Sequence, residues 1–445
     1  MSSADLFVIG SSGLKGFRAQ MGAISENIAN SATPNYNRRS VTLTESSLSA
    51  ATDPLYVPRA NFGGVDVMSI NRANDPYLDA TARMTGASLG SADSRLRWLS
   101  DMETALSDDT RGVGASLSNM YSAITRLAAS PNDPSLRTNV IYGVEQVVSA
   151  FQSSSSSLHQ SQAGMFQTAQ GDVTIVNDAL KELTRINAAL LRSSPGTSNQ
   201  AQLLDSRDTE LATITKNINV EISFGPNGTA VLGYGGTTIL QGETASSFSV
   251  TQNTNGTLNM LLQGNPVAAP TDGALSGTFQ SAVIADQRLT SLDQLAVQFA
   301  TDVNAWHAQG FTDAGAAGGP LVSVGTTAAS LAVAISNISQ IAAKSADGRL
   351  NGNLLNVSTI RGTASVEQGW TALVVAHGNV LNTTKLEQAS AQSRDENARA
   401  SRERVSGVDL DMEAADLVRT QQAYQAAAKV IQVARDTIDS ILRIN

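Results

Sequence analysis

Apolar residues recur at helical spacing from the start of the chain. Within residues 4–30 they follow one another mostly at steps of three and four, with Gly13 filling the one gap. The positions are Leu6, Ile9, Phe17, Met21, Ile24 and Ile28. This spacing predicts an α-helix with one apolar face, which Pro34 prevents from continuing. Residues 41–73 contain several proline and glycine breakers and are predicted to be extended and irregular.

Two later helices are predicted to begin at the same Asp-Pro capping motif. Asp75-Pro76 and Asp133-Pro134 each place an acidic N-cap before a proline at the first helical position. The apolar pattern that follows the second start predicts an unbroken helix of roughly 58 residues. A run of serines (153–157) interrupts the pattern. Because apolar positions resume beyond the run, we interpret it as an exposed helical face rather than a flexible break.

The hydrophobic period changes to two at residue 219. Alternating apolar residues and glycine-containing turns, up to about residue 266, predict a small antiparallel sheet. Helical spacing returns in residues 289–306 and again from residue 366, whereas residues 311–364 are rich in glycine, alanine and serine and poorly periodic. The patterns therefore predict a mainly α-helical fold with a smaller β module.

The last segment carries the most regular pattern in the chain. Steps of four and three alternate along Leu410, Ala414, Leu417, Gln421, Tyr424, Ala428, Ile431, Arg435, Ile438 and Leu442. This repeat predicts the heptad seam of a coiled-coil helix. Two hypotheses stay open at this point. The terminal helices close on each other within one monomer, or they complete their burial on neighbouring subunits.

Composition narrows the functional classes. The formal net charge is −9 and the isoelectric point is near 4.9, so a nucleic-acid partner is not expected. The absence of cysteine excludes disulfides and thiolate metal sites. The sequence has neither an apolar run long enough to span a membrane nor a recognisable signal peptide. We therefore expect no membrane insertion, and either a cytosolic protein or export that does not read a cleavable signal.

Candidate chemistry is sparse. His159, His307 and His377 are far apart, no Gly-x-Ser-x-Gly motif surrounds a serine, and we interpret the histidines as packed or surface residues. The acids of DLDME (409–413) lack the central glycine of a calcium loop and suit a helix start. The glycine-rich pieces lack the lysine and hydroxyl of a phosphate loop. No catalytic residue, metal ligand or cofactor site is predicted.

Four segments resemble one known family. The two ends, SGLKGFRAQMGAISENIANSATPNYNRRSV (12–41) and VSGVDLDMEAADLVRTQQAYQAAAKVIQVARDTIDSILRIN (405–445), resemble the terminal signatures of the bacterial flagellar axial family, which includes rod, hook and hook-associated proteins. Two internal segments, LLDSRDTELATITKNINVEI (203–222) and LDQLAVQFATDVNAWHAQGF (292–311), are similar to its hook-associated members.

The resemblance implies a structural adaptor, not an enzyme, that joins a flexible hook to a stiffer filament. Its expected partners are further copies of the chain, the hook protein, a second hook-associated junction protein and a cytosolic export chaperone on the C-terminal helix. The flagellar type III secretion system would carry it to an extracellular position. Another axial protein, either the second junction protein or a hook or rod subunit, is the nearest alternative. A cell-wall hydrolase is the alternative of a different class, and the sequence shows no acid pair or metal motif for it.

The resemblance also implies an arrangement of domains around paired, coiled-coil-like terminal helices. Residues 1–45 with 406–445 would form an inner polymer core, residues 46–218 with 280–310 and 365–405 a rod of long helices, and residues 219–279 with 311–364 an outer antiparallel β domain. The residues expected in subunit assembly are Leu14, Ile24, Asn27, Ile28, Asn30, Tyr36, Leu410, Leu417, Tyr424, Ile431, Ile438 and Leu442. Among them Asn27 and Asn30 would form loop hydrogen bonds, and Tyr36 would be a packing anchor.

Two features depart from the family pattern. Asn35 stands where family members usually carry glycine, and because asparagine tolerates a left-handed backbone, the turn is expected to survive. The chain is also short for the family, so the larger outer domain of some relatives is expected to be absent.

Overall fold

The computed structural model describes residues 3–46 and 64–442. Its α-helices are α1 (Ser3–Ala29), α2 (Pro76–Ala105), α3 (Val113–Ala129), α4 (Pro134–Arg192), α5 (Ser198–Asn217), α6 (Ala274–Ala308), α7 (Gly352–Leu355), α8 (Val366–Ser406) and α9 (Leu410–Leu442). Its strands are β1 (Arg39–Glu45), β2 (Val65–Arg72), β3 (Glu221–Phe224), β4 (Ala230–Tyr234), β5 (Thr237–Gln241), β6 (Thr244–Ala245), β7 (Phe248–Gln252), β8 (Leu258–Leu262), β9 (Asn265–Val267), β10 (Val322–Ser323) and β11 (Ala332–Val333). The prediction of a mainly α-helical fold with a smaller β module is confirmed.

The described residues group into two compact units. The first unit lies within Met1–Ala87, Ile175–Ser247 and Gln392–Asn445, and the second within Ser88–Thr174 and Phe248–Ala391. The first unit contains α1, α5, α9, the β1–β2 hairpin and the sheet β3-β4-β5-β6. The second contains α3, α6, α7 and the sheets β7-β8-β9 and β10-β11. Helices α2, α4 and α8 contribute residues to both.

The core of the second unit is built from large side chains on long helices. Phe151 of α4 stacks on Phe299 of α6, with ring centroids 6.0 Å apart. Trp306 and Trp370 are also fully buried, and the Trp306 indole donates a hydrogen bond to the carbonyl of Asn353 at 2.9 Å. Burying such rings supplies a large share of the hydrophobic stabilisation of a domain that is poor in aromatic residues.

Helix α4 is unbroken over 59 residues, which confirms the prediction of one long helix. The prediction that the serine run forms an exposed face is wrong, however, because Ser154 and Ser155 are buried while Ser153 and Ser156 are exposed. Small hydroxyl side chains let a neighbouring helix approach closely, so a serine run can continue a packed stripe as well as a solvated one. Both helix starts, at Asp75 and Asp133, are capped as predicted by carboxylate oxygens that accept backbone N–H groups at 2.8 Å.

The β segment differs from the single sheet that the alternating pattern predicts. Strands β3–β6 form one antiparallel sheet in the first unit, and β7–β9 form a separate one in the second. Residues 41–73 were predicted to be extended and irregular; β1 and β2 are extended, but they form a regular antiparallel pair with a bulge between Thr42 and Leu43. The intervening residues 47–63 lie outside the described part of the chain. Periodicity locates strands without specifying which neighbour each will pair with.

Helix α6 begins fifteen residues before its first predicted apolar position, Leu289. Its early turns bury small polar residues, and the Thr278 hydroxyl lies 2.8 Å from that of Ser94 in α2. A Cβ on Gly277 would come within 2.2 Å of the Ser91 carbonyl oxygen. The helix therefore packs through small residues that a hydrophobicity pattern does not register.

A histidine fastens the irregular segment 310–364 to the end of α6. His307 is buried, its Nδ1 lies 2.6 Å from the Gly319 carbonyl oxygen, and its Nε2 accepts the Ala342 N–H at 2.9 Å. Because Nε2 is an acceptor, the ring is neutral and Nδ1 carries the proton. Burial lowers the pKa of His307, and the bond to Gly319 only partly opposes this. The interpretation of the histidines as structural residues holds here.

Acidification is expected to destabilise the second unit through His307. Its pKa in the folded chain lies below the ordinary value of 6.5, so the unfolded state binds protons first as the pH falls. The stabilisation is therefore complete above about pH 6.5 and is lost as the pH falls through the folded pKa. Urea titrations at about pH 7.5 and pH 5.5 should give a lower free energy of unfolding at the lower pH.

His307→Gln should remove part of this pH dependence and leave the share from His377, whose pKa burial also lowers. His159→Gln is the matched control, because His159 is an exposed histidine of the same unit. A pH dependence in His307→Gln as steep as in the parent chain would contradict the assignment.

Candidate functional site

The two terminal helices pack against each other within one chain. Gly10, in the first half of α1, lies against Ile431 in the second half of α9, and Asn27, near the end of α1, contacts Glu413 at the start of α9. The helices therefore run antiparallel. The predicted pairing is confirmed, and the hypothesis of a helix pair closed within the monomer is correct for one face of each helix.

The pair approaches closely because glycines line its side of α1. A Cβ atom on Gly10 would come within 2.5 Å of Ile431 Cγ1, and one on Gly13 would lie 3.6 Å from Ala427 Cβ. Gly16 faces the hairpin instead, where Leu43 lies 3.2 Å from the corresponding position. Gly10 and Gly13, the second of which fills the one gap in the apolar pattern, are thus contact points of the helix.

Half of the positions predicted for the heptad seam of α9 are wrong. Leu417, Tyr424, Ile431 and Ile438 are partly buried as predicted. The alternate positions Leu410, Ala414, Gln421, Ala428 and Arg435 are exposed, and the packed positions are instead Glu413, Thr420, Ala427 and Ala434. Both sets give steps of four and three, so the repeat alone does not decide between them. The small residues face α1 because its glycines bring the backbones close.

The outer face of the pair remains exposed and partly apolar. Val418 and Val433 are 54% and 58% exposed, and at 100° per residue they lie opposite the seam of α9. On α1, Phe7 and Val8 are exposed as well. Between the two valines, the same side of α9 carries the exposed polar residues Gln422, Gln425 and Lys429, so this face is mixed in character.

The remaining predicted assembly residues divide between the two faces. Ile24 is buried, and Leu14 and Ile28 are partly buried. Leu410 is half exposed at the first residue of α9. Leu442 is the last described residue of that helix, and its side chain lies outside the described part of the chain.

Asn27 is the centre of a joint that connects the helix pair to the rest of the first unit. Its side chain is fully buried and makes four hydrogen bonds. Nδ2 donates to the Arg39 carbonyl at 2.9 Å and to Glu413 Oε2 at 3.1 Å. Oδ1 accepts the Arg39 N–H at 2.8 Å and the Tyr36 hydroxyl at 2.9 Å. All four bonds of the amide are satisfied, as burial requires.

Two arginines after α1 carry the charge of the joint, Arg38 in the loop and Arg39 at the first residue of β1. Arg38 Nε donates to Glu413 Oε1 at 2.5 Å, so the buried carboxylate has partners from two segments. Arg39 binds Glu26 at 2.5 Å and Asp205 of α5 at 3.0 Å. Burial alone would lower the pKa of Arg39, but the hydrogen bonds to Asp205 and Glu26 and the attraction of nearby charges outweigh it and raise the pKa.

Tyr36 packs into the joint within one chain, and its role as an anchor in subunit assembly stays a prediction. The Cζ atom of Arg39 lies over the Tyr36 ring, 5.0 Å from the ring centroid. The Tyr36 hydroxyl donates a hydrogen bond to Asn27. Burial raises the pKa of Tyr36 to about 12, and Arg39 only partly opposes this, so the hydroxyl keeps its proton. Asn35 has φ 61°, which confirms the left-handed turn expected where relatives carry glycine.

The acidic residues of α5 extend the joint to β2. Asp205 accepts from Arg72 at 2.8 Å, and Asp208 accepts from Arg72 at 2.7 Å and from Arg207. The Asn37 amide also donates to Asp205, at 3.0 Å. A buried network of alternating charges therefore joins the loop, the hairpin and α5.

Sequence analysis missed most members of this network. Glu413 was interpreted as a helix-start acid, although the dipole role belongs to Asp409, whose carboxylate accepts the N–H groups of Asp411 and Met412. The one local indication that Glu413 is buried was its position four residues before Leu417, on the same helical face as Leu417 and Tyr424. Asn30 forms only local bonds, from its amide to the Glu26 carbonyl and from Thr33, and thus contributes little to the joint.

The described residues contain no cluster of three or more histidine and acidic side chains suited to a metal ion. No helix among them is both long and apolar enough to cross a membrane. The joint pairs each buried charge with fixed partners, an arrangement suited to holding segments in place.

Two sequence families match the chain. Residues 402–444 match the family described as flagellar basal body rod FlgEFG protein C-terminal, so the C-terminal helix is of the flagellar axial class. Residues 99–322, about half of the chain, match the family described as flagellar hook-associated protein FlgK helical domain. The chain belongs to this flagellar hook-associated family.

Individual relatives agree with the family. The chain is 24% identical to flagellar hook-associated protein 1 of Bacillus subtilis (strain 168), over 96% of this chain and 95% of that protein. It is 26% identical to flagellar hook-associated protein 1 of Salmonella typhimurium, over 71% of this chain but only 58% of the relative's length. The solved flagellar hook junction protein FlgK of Burkholderia pseudomallei shares the fold, with a TM-score of 0.66 at 13% identity, over 73% of this chain and 100% of that one.

Alanine should act differently at two glycines of the helix pair. Gly13→Ala makes an ordinary contact with Ala427 and should stabilise α1 by about 0.5–1 kcal/mol through helix propensity. Gly10→Ala should displace Ile431 and destabilise the pair. Hydrogen exchange of the α1 and α9 amides measures both effects, and equal protection in the two variants would contradict the close contact at Gly10.

Removal of the Asn27 amide should weaken the joint strongly. Asn27→Ala leaves Glu413 and the Tyr36 hydroxyl each short of a buried partner, which should lower the free energy of unfolding by about 2–4 kcal/mol. Asn30→Ala is the matched control and should cost less than about 1 kcal/mol, since it removes exposed local bonds. Denaturant unfolding of the full chain compares the two, and equal losses would show that Asn27 is not the centre of the joint.

Proposed function

We propose that this chain is a structural subunit of the bacterial flagellum that assembles at the junction between hook and filament and has no catalytic role. The observation that carries the proposal is the terminal helix pair. Its inner face is closed by glycines and small residues, and its outer face leaves Val418 and Val433 exposed. Family membership supports the same assignment.

The exposed face is proposed to be covered by neighbouring subunits. A pair of helices that bury only one face each has little apolar area to offset chain entropy. Packing of copies side by side would bury the outer valines, and the joint at Asn27 would hold each pair at a fixed angle to its own first unit. The predicted assembly residues then act in two ways, with Ile431 and Tyr424 closing the pair and Leu410 facing outward.

The proposed domains are those that the family resemblance implies. Residues 1–45 and 406–445 would form the inner core of the polymer, residues 46–218, 280–310 and 365–405 the helical rod, and residues 219–279 and 311–364 the outer β-rich part. This division remains a proposal.

The proposed partners are copies of this chain, the hook protein and the second hook-associated junction protein. A cytosolic export chaperone would cover the C-terminal helix before assembly, because an exposed apolar face is an aggregation hazard. Export by the flagellar type III secretion system would then place the protein outside the cell. The acidic net charge of −9 disfavours nucleic acid as a partner.

Deletion of the gene tests the proposed function. Cells lacking the chain should still build hooks but carry no filaments, and filament protein should accumulate in the medium. Attached filaments of normal number in the deletion strain would disprove the junction role. A zymogram on peptidoglycan tests the alternative of a cell-wall hydrolase. A hydrolase would leave a cleared band in the gel, and a structural subunit would not.

A charge on the outer face of α9 should separate folding from assembly. Val433→Asp places a carboxylate where solvent already reaches, so the free energy of unfolding of the monomer should change by less than about 0.5 kcal/mol. In the polymer the same carboxylate would be buried without a partner, and filaments should not attach. Electron microscopy of the complemented deletion strain measures attachment.

Two variants control this experiment. Val433→Leu keeps the face apolar and should restore attachment. Ile431→Asp lies on the inner seam and should destabilise the pair in the monomer as well. Normal attachment with Val433→Asp would show that the outer face of α9 is not an assembly surface.

A further inference from the structure

A cleft in the first unit is not explained by the joint. It lies between the start of α2, helix α5 and the turn from β3 to β4. Its lining includes Arg72, Asp79, Arg83, Arg207, Asp208 and Phe224. Charged side chains thus meet an aromatic ring in one concave surface.

Arg83 is the cation of this cleft that lacks a direct partner. Asp79 is engaged by Arg402 at 2.6 Å, and Asp208 is engaged by Arg72 and Arg207. Among the described residues, no acceptor makes a hydrogen bond or ion pair with the Arg83 guanidinium. The neighbouring acids attract it only at longer range.

The environment of Arg83 disfavours its charge. Burial lowers its pKa, repulsion by Arg207 and Arg402 adds to this, and the attraction of Asp208 and Asp79 does not compensate. A partly desolvated guanidinium keeps its charge but gains more from a carboxylate than an exposed one does, because water screens the pair less. The site therefore favours an added anion.

The rim of the cleft has the composition of a protein interface. Phe224 is 48% exposed, with the Arg207 guanidinium 4.3 Å from its ring centroid. Tyr77 and Met84 do not line the cleft but lie on the adjacent side of α2, where they are 75% and 64% exposed. Aromatic residues, methionine and arginine are enriched where protein surfaces meet, and arginine and tyrosine often carry most of the binding energy.

We propose that this cleft is a subunit contact in which Arg83 binds a carboxylate side chain of a second copy of this chain. The inference rests on the proposed function, which brings copies together at high local concentration. Charge complementarity favours a second copy, because the chain carries 39 acidic and 30 basic residues and therefore offers a mainly acidic surface. A planar guanidinium can bind a carboxylate through two parallel hydrogen bonds, and the ring of Phe224 lies in the same cleft.

Zero-length crosslinking tests the contact directly. Arg83→Lys keeps the positive charge and supplies an amine, so a carbodiimide can join it to a carboxylate in direct contact through an amide. Junctions are assembled from a mixture of isotopically heavy and light copies of this variant, and linked peptides are identified by mass spectrometry. A link from residue 83 to an aspartate or glutamate in heavy–light pairs is expected. A link only within one copy, only to a different protein, or none at residue 83 would overturn the proposal.

Neutralisation of the arginine separates contact from folding. Arg83→Gln should leave the melting temperature of the monomer unchanged or slightly higher, because it removes an unpaired charge, and should reduce incorporation at the hook tip by roughly tenfold or more. Arg394→Gln is the matched control, since Arg394 is an exposed arginine of the same unit and should incorporate normally. A lower melting temperature in Arg83→Gln, or normal incorporation, would reject the contact.

The two proposals fail in different ways. If the parent chain does not restore filaments to the deletion strain, the junction function is wrong. If the parent chain and Arg83→Gln restore filaments equally, the junction function stands and the contact at Arg83 is wrong.

Discussion

The geometry of the first unit depends on one buried carboxylate. Glu413 is fully excluded from solvent, and a buried carboxylate is tolerated only when donors replace its water. Arg38 and Asn27 supply them from segments more than 370 residues away in sequence. Because removal of one partner from a buried pair costs about 3–5 kcal/mol, the contact fixes where α9 begins against α1. A one-residue slip of either helix would break it.

The position of Glu413 determines the rest of the seam. Steps of seven from residue 413 place Thr420, Ala427 and Ala434 on the side of α9 that faces α1, where Gly10 leaves the room that Ile431 occupies. The larger side chains Val418 and Val433 then have to face outward. The polar joint therefore decides which apolar side chains of α9 remain exposed.

Local features of the fold could be predicted from the sequence, and non-local ones could not. The caps at Asp75 and Asp133, the long α4 and the turn at Asn35 depend on neighbouring residues, whose chemistry is readable. Whether Ala427 or Ala428 of α9 packs against α1 depends on the side chains of α1. The pairing of Arg39 with Asp205 spans 166 residues, and no spacing rule reports it. The family resemblance identified the terminal segments without specifying these contacts.

Under the proposed function, incomplete burial of the helix pair has a physical purpose. The pair buries one face of each helix, and the joint at Asn27 and Glu413 fixes its register. A net charge of −9 opposes random association of free copies. Assembly then depends on contacts that match both the shape and the charge of a neighbouring surface, because apolar packing on the outer face is not directional by itself. A junction subunit needs this combination, since its two neighbours differ and each has to be matched by a separate surface.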